Sequence, residues 1–257
     1  MQRILTCSAF IAAACALASA QAVHTESRPG SSDVWGKLYN AGKKLTFAGK
    51  VTGIEVVRPA SGKDSEVTLL VKNRDGGGTS IVDLGPQWFV DHQTATIHLK
   101  DKVQVTGSKV IVDGHGIVLA SMIRVKGQGG LVVSLRRHSG RAYWMGTETD
   151  PNGNAPKGNN VLAGQISGIS TYTLNNQQYS EATLQTNGGL MTVDLGPAWY
   201  YNHQDVQYNV GDNVSVIVGG QPFTLGPNNT VWQSQSIYSG SNVYTIRDSN
   251  GAPLYFW

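Results

Sequence analysis

The sequence predicts a mainly β protein: two similar five-stranded barrels in tandem, each with one short helix between its third and fourth strands. Three observations predict this. The chain repeats itself: residues 82–93 read VDLGPQWFVDHQ and residues 193–204 read VDLGPAWYYNHQ, with eight of twelve positions identical at an offset of 111. Each copy consists of short runs rich in Val, Ile, Thr and aromatic residues, punctuated by Gly, Asn and Asp, which is the chemistry of strands and turns. One segment per copy departs from that pattern, the repeated motif itself, where a proline precedes residues spaced four apart on one helix face.

The elements follow in order. The repeat begins upstream of the motif, where residues 48–54 (AGKVTGI) match 163–169 (AGQISGI). Phe47, Gly49, Val51 and Gly53 alternate with their neighbours, so the first strand is expected here, bent at its glycines. Val67 to Val71 and Thr79 to Asp83 supply the second and third strands, with Gly76-Gly77-Gly78 as their turn. The motif then reads as the helix, with Pro86 or Pro197 in its first turn, where a missing N–H costs nothing. Val103 to Thr106 leads to Lys109–Val112, Asp113-Gly114 turns the chain, and Ile117 to Ile123 is the fifth strand. A closing hairpin over Leu131 to Arg136 turns at Ser139-Gly140. Strand, strand, strand, helix, strand, strand is the order of an OB-fold, whose helix closes one end of the barrel.

The flanks are of other kinds. Residues 1–20 read as a signal peptide: Arg3, an apolar run from Ile4 to Leu17 too short to span a bilayer, then Ala18-Ser19-Ala20. Cys15 leaves a lipoprotein reading as the alternative, against which the position three before it is Ala12 rather than leucine. Residues 21–44 form an N-terminal segment, disordered at its start, with a short helix over 33–39 capped by Ser32 or Asp33. Residues 45–144 are the first domain, the Gly-, Pro- and Asn-rich stretch 145–160 a linker, and residues 161–257 the second domain. No transmembrane helix is expected after cleavage.

Both cysteines, Cys7 and Cys15, lie in the signal segment. The processed chain therefore has no disulfide, no cysteine nucleophile and no haem-attaching C-x-x-C-H. Charge is split. Residues 21–157 carry 18 Lys/Arg against 12 Asp/Glu, whereas 158–257 carry one against five and are crowded with Asn, Gln, Ser, Thr and Tyr.

The motif V-D-L-G-P-x-W-[FY], with a downstream Lys-Asp or Gly-Asp turn, Leu-Arg or Ile-Arg, and a closing aromatic, resembles the MamS/MamX-type magnetosome domain family over residues 46–144 and 161–257. The resemblance implies exported bacterial OB-fold domains. Members with haem-binding cysteine motifs would imply redox chemistry, but this chain lacks those cysteines.

Each repeated polar or aromatic residue has a structural and a functional reading. Trp88 and Trp199 are read as plugs of the barrel end rather than ligand-stacking rings. His92 and His203 are weak metal candidates, because a site needs three or four converging ligands and no local pair such as H-x-x-x-H occurs. The alternative is a helix-end histidine bonded to a carbonyl. Asp83 with Arg136, and Asp194 with Arg247, are read as buried pairs tying the third strand to the last hairpin, or as turn caps. Gly85, Pro86, Gly196 and Pro197 shape the turn into the helix. Scattered basic residues in the first copy and almost none in the second argue against nucleic acid. Neither G-x-S-x-G nor a phosphate loop occurs. The expectation is a non-enzymatic binding or assembly module of the cell envelope, periplasmic or secreted, with no cofactor. Its partner would be a protein or glycan, or the oppositely charged half of another copy. The alternatives are an accessory redox or metal-handling protein and, less favoured, a nucleic-acid-binding OB protein.

Overall fold

The computed structural model describes residues 35–57, 64–112, 114–149, 158–219, 221–225 and 229–255. The expected signal peptide, most of the N-terminal segment and residues 150–157 of the expected linker lie outside them. The chain divides into two compact units, one through Tyr143 and one from Trp144 onward.

In the first unit, β1 (Lys44–Val57), β2 (Glu66–Asn73) and β3 (Thr79–Pro86) form an antiparallel meander, and β4 (Lys102–Val112) and β5 (His115–Val125) follow. The strand order is β3-β2-β1-β4-β5, and a parallel β3–β5 pairing closes the ring. This is the OB-fold-like barrel that the sequence predicts. Its inward faces carry Val51, Leu69, Val82, Val105, Leu119 and Ile123, all at most 1 % exposed. β1 serves both halves of the sheet: Gly49 is registered against Val103 of β4 and Asn73 of β2. The strands come so close here that a Cβ on Gly49 would lie 2.6 Å from the Lys72 carbonyl oxygen, which is why the bend carries glycine. β6 (Leu131–Ser134) extends the sheet beside β5. The two runs read as 103–106 and 109–112 are one strand with an irregularity at Thr106/Gly107, because β5 pairs with both.

The second unit repeats the ring with β8 (Val161–Leu174), β9 (Gln177–Thr186), β10 (Gly189–Pro197), β11 (Asn213–Val218) and β13 (Thr230–Ser239), closed by a parallel β10–β13 pairing. The two-residue β12 (Phe223–Thr224) pairs with β13, as does β14 (Asn242–Thr245). Two expectations change. Thr147–Thr149, expected in the linker, is a strand, β7, paired with β14. The open edge of a four-residue strand leaves backbone donors and acceptors that another segment can satisfy. The expected helix over 33–39 is a single 3-10 turn, Gly36–Leu38, following Trp35. Trp35 is buried against Val110, Ile117 and Leu119, so an apolar anchor rather than helical periodicity sets this segment.

Candidate functional site

The repeated motif forms the same corner in both units. β3 and β10 end at Pro86 and Pro197, which stand as extended N-caps of the one-turn helices α1 (Gln87–Val90) and α2 (Ala198–Tyr201). The prolines therefore precede the helical turn instead of opening it. Gly85 and Gly196 have φ of 94° and 88°, a region that side chains other than glycine's rarely tolerate. The end of the barrel is filled by the residue after the tryptophan: Phe89 and Tyr200 are fully buried. Trp88 and Trp199, expected as the plugs, are half-buried and lie edge-on to those rings at 5.9 and 5.8 Å. Trp88 Nε1 donates to Asp64 at 2.7 Å. On a single helical turn the neighbouring side chain points about 100° away, so only one of the two can enter the barrel.

The His-Gln pair that ends the motif caps this turn. His92 and His203 are exposed, and their Nδ1 atoms lie 2.6 and 2.7 Å from the Trp88 and Trp199 carbonyl oxygens. A carbonyl can only accept, so Nδ1 carries the proton. Gln93 and Gln204 are buried and donate Nε2–H to the Phe89 and Tyr200 carbonyls, both at 3.0 Å. The same carbonyls accept the backbone N–H of His92 and His203 at 3.3 Å, so each side-chain amide adds a second donor at a helix end whose last carbonyls lack the usual i+4 partner. Gln93 and Gln204 were not singled out from sequence, although their identity in both copies was the available signal. Among the described residues no group of three or more His, Cys, Asp or Glu side chains converges as a metal site.

Asp194 and Arg247 meet inside the second unit. Arg247 Nη2 donates to Asp194 Oδ2 at 2.7 Å, with side-chain exposures of 10 and 1 %. Arg247 also donates to the Ser234 carbonyl at 2.7 Å and the Tyr255 hydroxyl at 3.3 Å. The other oxygen of Asp194 accepts the Gly196 N–H at 2.9 Å and the Tyr172 hydroxyl at 3.2 Å. Asp194 is thus both turn cap and ion-pair partner. Burial opposes the charge on Arg247, but Tyr255 and Asp194 outweigh it and hold the guanidinium above its ordinary pKa. In the first unit Asp83 and Arg136 are likewise buried. There Arg136 donates to the Gly140 carbonyl at 3.2 Å and stacks 5.2 Å from the centre of the Tyr39 ring.

Around Asp194 the second unit carries a further feature. Tyr172 and Tyr179 are directly opposed across β8 and β9, their rings 5.3 Å apart and 12° from parallel. Phe223 of β12 lies 6.1 Å from Tyr172. All three rings are half-buried. The turn joining the two strands holds Asn175 and Asn176 at positive φ, the conformation of a tight hairpin turn, and continues into Gln177 and Gln178. Burial first, then Asp194, pushes the Tyr172 hydroxyl pKa well up, and the same two causes raise that of Tyr179. The matching cross-strand pair in the first barrel is Val57 and Glu66. Among the described residues this opposed tyrosine pair is found in the second barrel, and a comparison restricted to shared residues misses it.

The fold and this bonding define a tandem OB-fold-like barrel protein whose second barrel bears an aromatic platform. The chain belongs to the MamS/MamX magnetosome protein family, whose profile matches residues 43–129 and 160–231, more than half of its length. A search of curated proteins finds no significant match. Among solved structures the chain is similar to the wild-type single-stranded DNA binding protein from Thermus aquaticus, at 14 % identity over 76 % of this chain and 91 % of that one, with a TM-score of 0.24. It is also similar to a murine DNA binding protein bound with double-stranded DNA, at 11 % identity over 78 and 99 % of the two chains, with a TM-score of 0.22. No helix among the described residues is long and apolar enough to cross a membrane.

Proposed function

We propose that the chain is an exported, non-enzymatic binding module of the bacterial envelope, released near Ala20 to the periplasm or beyond, whose second barrel takes a neutral glycan. Membership of a magnetosome family supports a magnetosome-associated setting. The carrying observation is the Tyr172–Tyr179 stack with Phe223 beside it. Half-exposed rings offer flat apolar faces to sugar C–H groups, while amides such as Gln177 and Gln178 offer donors and acceptors to hydroxyls. The repeated Asp, His and Gln side chains are engaged in internal bonds, which supports a scaffold role for the motif in place of acid–base catalysis.

The test is calorimetric titration of the full chain with neutral oligosaccharides and muropeptide fragments. A Tyr179→Ala/Phe223→Ala variant with an unchanged far-ultraviolet spectrum should lose roughly 0.5–1.5 kcal/mol of binding per ring. Absence of binding to every such glycan refutes the reading. Turnover of the glycan on prolonged incubation refutes its non-enzymatic part. A protein retained by the wild type and released by the variant would move the partner class from glycan to protein.

A further inference from the structure

The first barrel has a second feature, independent of the aromatic platform. At the corner where β1 passes from β4 to β2 there is a cleft of about 470 Å³ whose lining includes Lys50, Lys72, Arg74, Lys102 and Lys126. Among the described residues no acidic side chain lines it. These five cations are far apart in sequence and are collected by register. Lys50 is opposite Lys72 on β2 and opposite Lys102 on β4. Lys126 donates its backbone N–H to the Lys102 carbonyl at 2.9 Å, and Arg74 donates its own to the Ala48 carbonyl at 2.9 Å. All five side chains are exposed, and none has a side-chain hydrogen bond or ion pair among the described residues. The nearest acids in sequence are engaged elsewhere: Asp75 accepts the Gly77 N–H and Asp101 the His98 N–H.

Like charges directly opposed across strands destabilise a sheet, so an unrelieved row of them is maintained against its own repulsion. The second barrel supplies an internal comparison. The equivalent corner has a cleft lined by Gln165, Gln185, Asn187, Asn213 and Gly240. Gln165 is opposite both Gln185 and Asn213, as Lys50 is opposite Lys72 and Lys102. The same backbone corner therefore exists without one positive charge, and the barrel does not require the cations.

We propose that the cleft of the first barrel binds a compact polyanion carrying two or more phosphate groups. A concave site lined by one sign of charge concentrates the field on a ligand of the opposite sign. The planar fork of Arg74 matches two phosphate oxygens at once, and the lysines act as point charges around it. The volume is that of a small-ligand pocket. Among the described residues no aromatic side chain lines the cleft, and single-stranded nucleic acid relies on such a stacking surface. A soluble sugar bisphosphate and a phosphate-bearing lipid headgroup share the required chemistry.

The experiment titrates the full chain with inorganic tripolyphosphate by calorimetry at low and physiological salt. One site per chain is expected, weakening as salt rises. Exchanging the cleft residues for their second-barrel counterparts (Lys50→Gln, Lys72→Gln, Arg74→Asn, Lys102→Asn, Lys126→Gly) should lower the affinity at least about tenfold, since each lost exposed charge pair contributes a few tenths of a kcal/mol or more. A control removes the same number of cations elsewhere, with Lys37, Lys43, Lys44, Lys109 and Arg124 replaced by Gln, and should retain binding. In the converse variant, Gln165→Lys, Gln185→Lys and Asn213→Lys should raise the stoichiometry from one to two, an outcome that does not depend on the exchange variant folding. Failure of the wild type to bind at low salt overturns the proposal. So does equal loss in the control, or tighter binding of a single-stranded oligonucleotide than of tripolyphosphate. Co-sedimentation with phosphatidylglycerol or cardiolipin vesicles, set against titration with a sugar bisphosphate, then assigns the phosphate to lipid or to soluble ligand.

Discussion

Replacing Arg247 with Met isolates the buried pair of the second barrel. The substitution keeps a long unbranched side chain but leaves the Asp194 carboxylate, 1 % exposed, with only the Gly196 N–H and the Tyr172 hydroxyl as donors. It also strips a donor from the Ser234 carbonyl, which Arg247 reaches at 2.7 Å. Breaking a buried pair from one side costs about 3–5 kcal/mol, because the remaining charge stays desolvated. The near-complete burial of both partners argues for the upper part of that range. Asp194→Asn should cost a comparable amount by stranding Arg247. The double variant should lie closer to wild type than the sum of the singles, with a coupling of about 2 kcal/mol or more. Urea denaturation of the full chain, followed by circular dichroism and tyrosine fluorescence and fitted with separate transitions where two appear, reads these values. A loss below about 1 kcal/mol for Arg247→Met, the range of exposed pairs, would refute the claim that burial makes this contact a structural latch.

Two further outcomes follow from side chains buried in the two barrels. Phe89→Ala should destabilise by about 3–5 kcal/mol because it empties a fully buried site at the barrel end; half-buried Trp88→Ala should cost clearly less, and the reverse ranking in urea melts would return the plug to the tryptophan. Tyr172, Tyr179, Tyr201, Tyr208, Tyr244 and Tyr255 all have pKa values raised above 10.0, mainly by burial. A raised pKa favours the neutral hydroxyl in the folded state, so this stability is intact below pH 10.0 and is lost as pH climbs toward the folded values. Tyrosinate absorbance should therefore rise together with the loss of circular dichroism in alkaline titration. A smooth rise centred near pH 10.0 with the fold intact would contradict the burial.

How much was legible in the sequence depends on the range of the interactions involved. Strand runs, Gly and Asn turns and the single helical segment per copy rest on chemistry between near neighbours, and the repeat doubled the signal. From these the order of elements, the barrel class and the pairing of Asp194 with Arg247 could be read from the chain itself. The tertiary structure decided what depends on register and facing. Whether Trp88 or Phe89 enters the barrel is a rotation of one residue on a single turn, fixed by the shape of the barrel end. Thr147–Thr149 looks like linker because its partner is the open edge of β14, far along the chain. Tyr172 and Tyr179 become a platform only when a hairpin places them opposite one another. Lys50, Lys72, Arg74, Lys102 and Lys126 look scattered over 77 residues until strand pairing gathers them at one corner. Local propensity is written residue by residue; which side chains share a face is set by long-range pairing, and that is where both candidate binding surfaces of this protein arise.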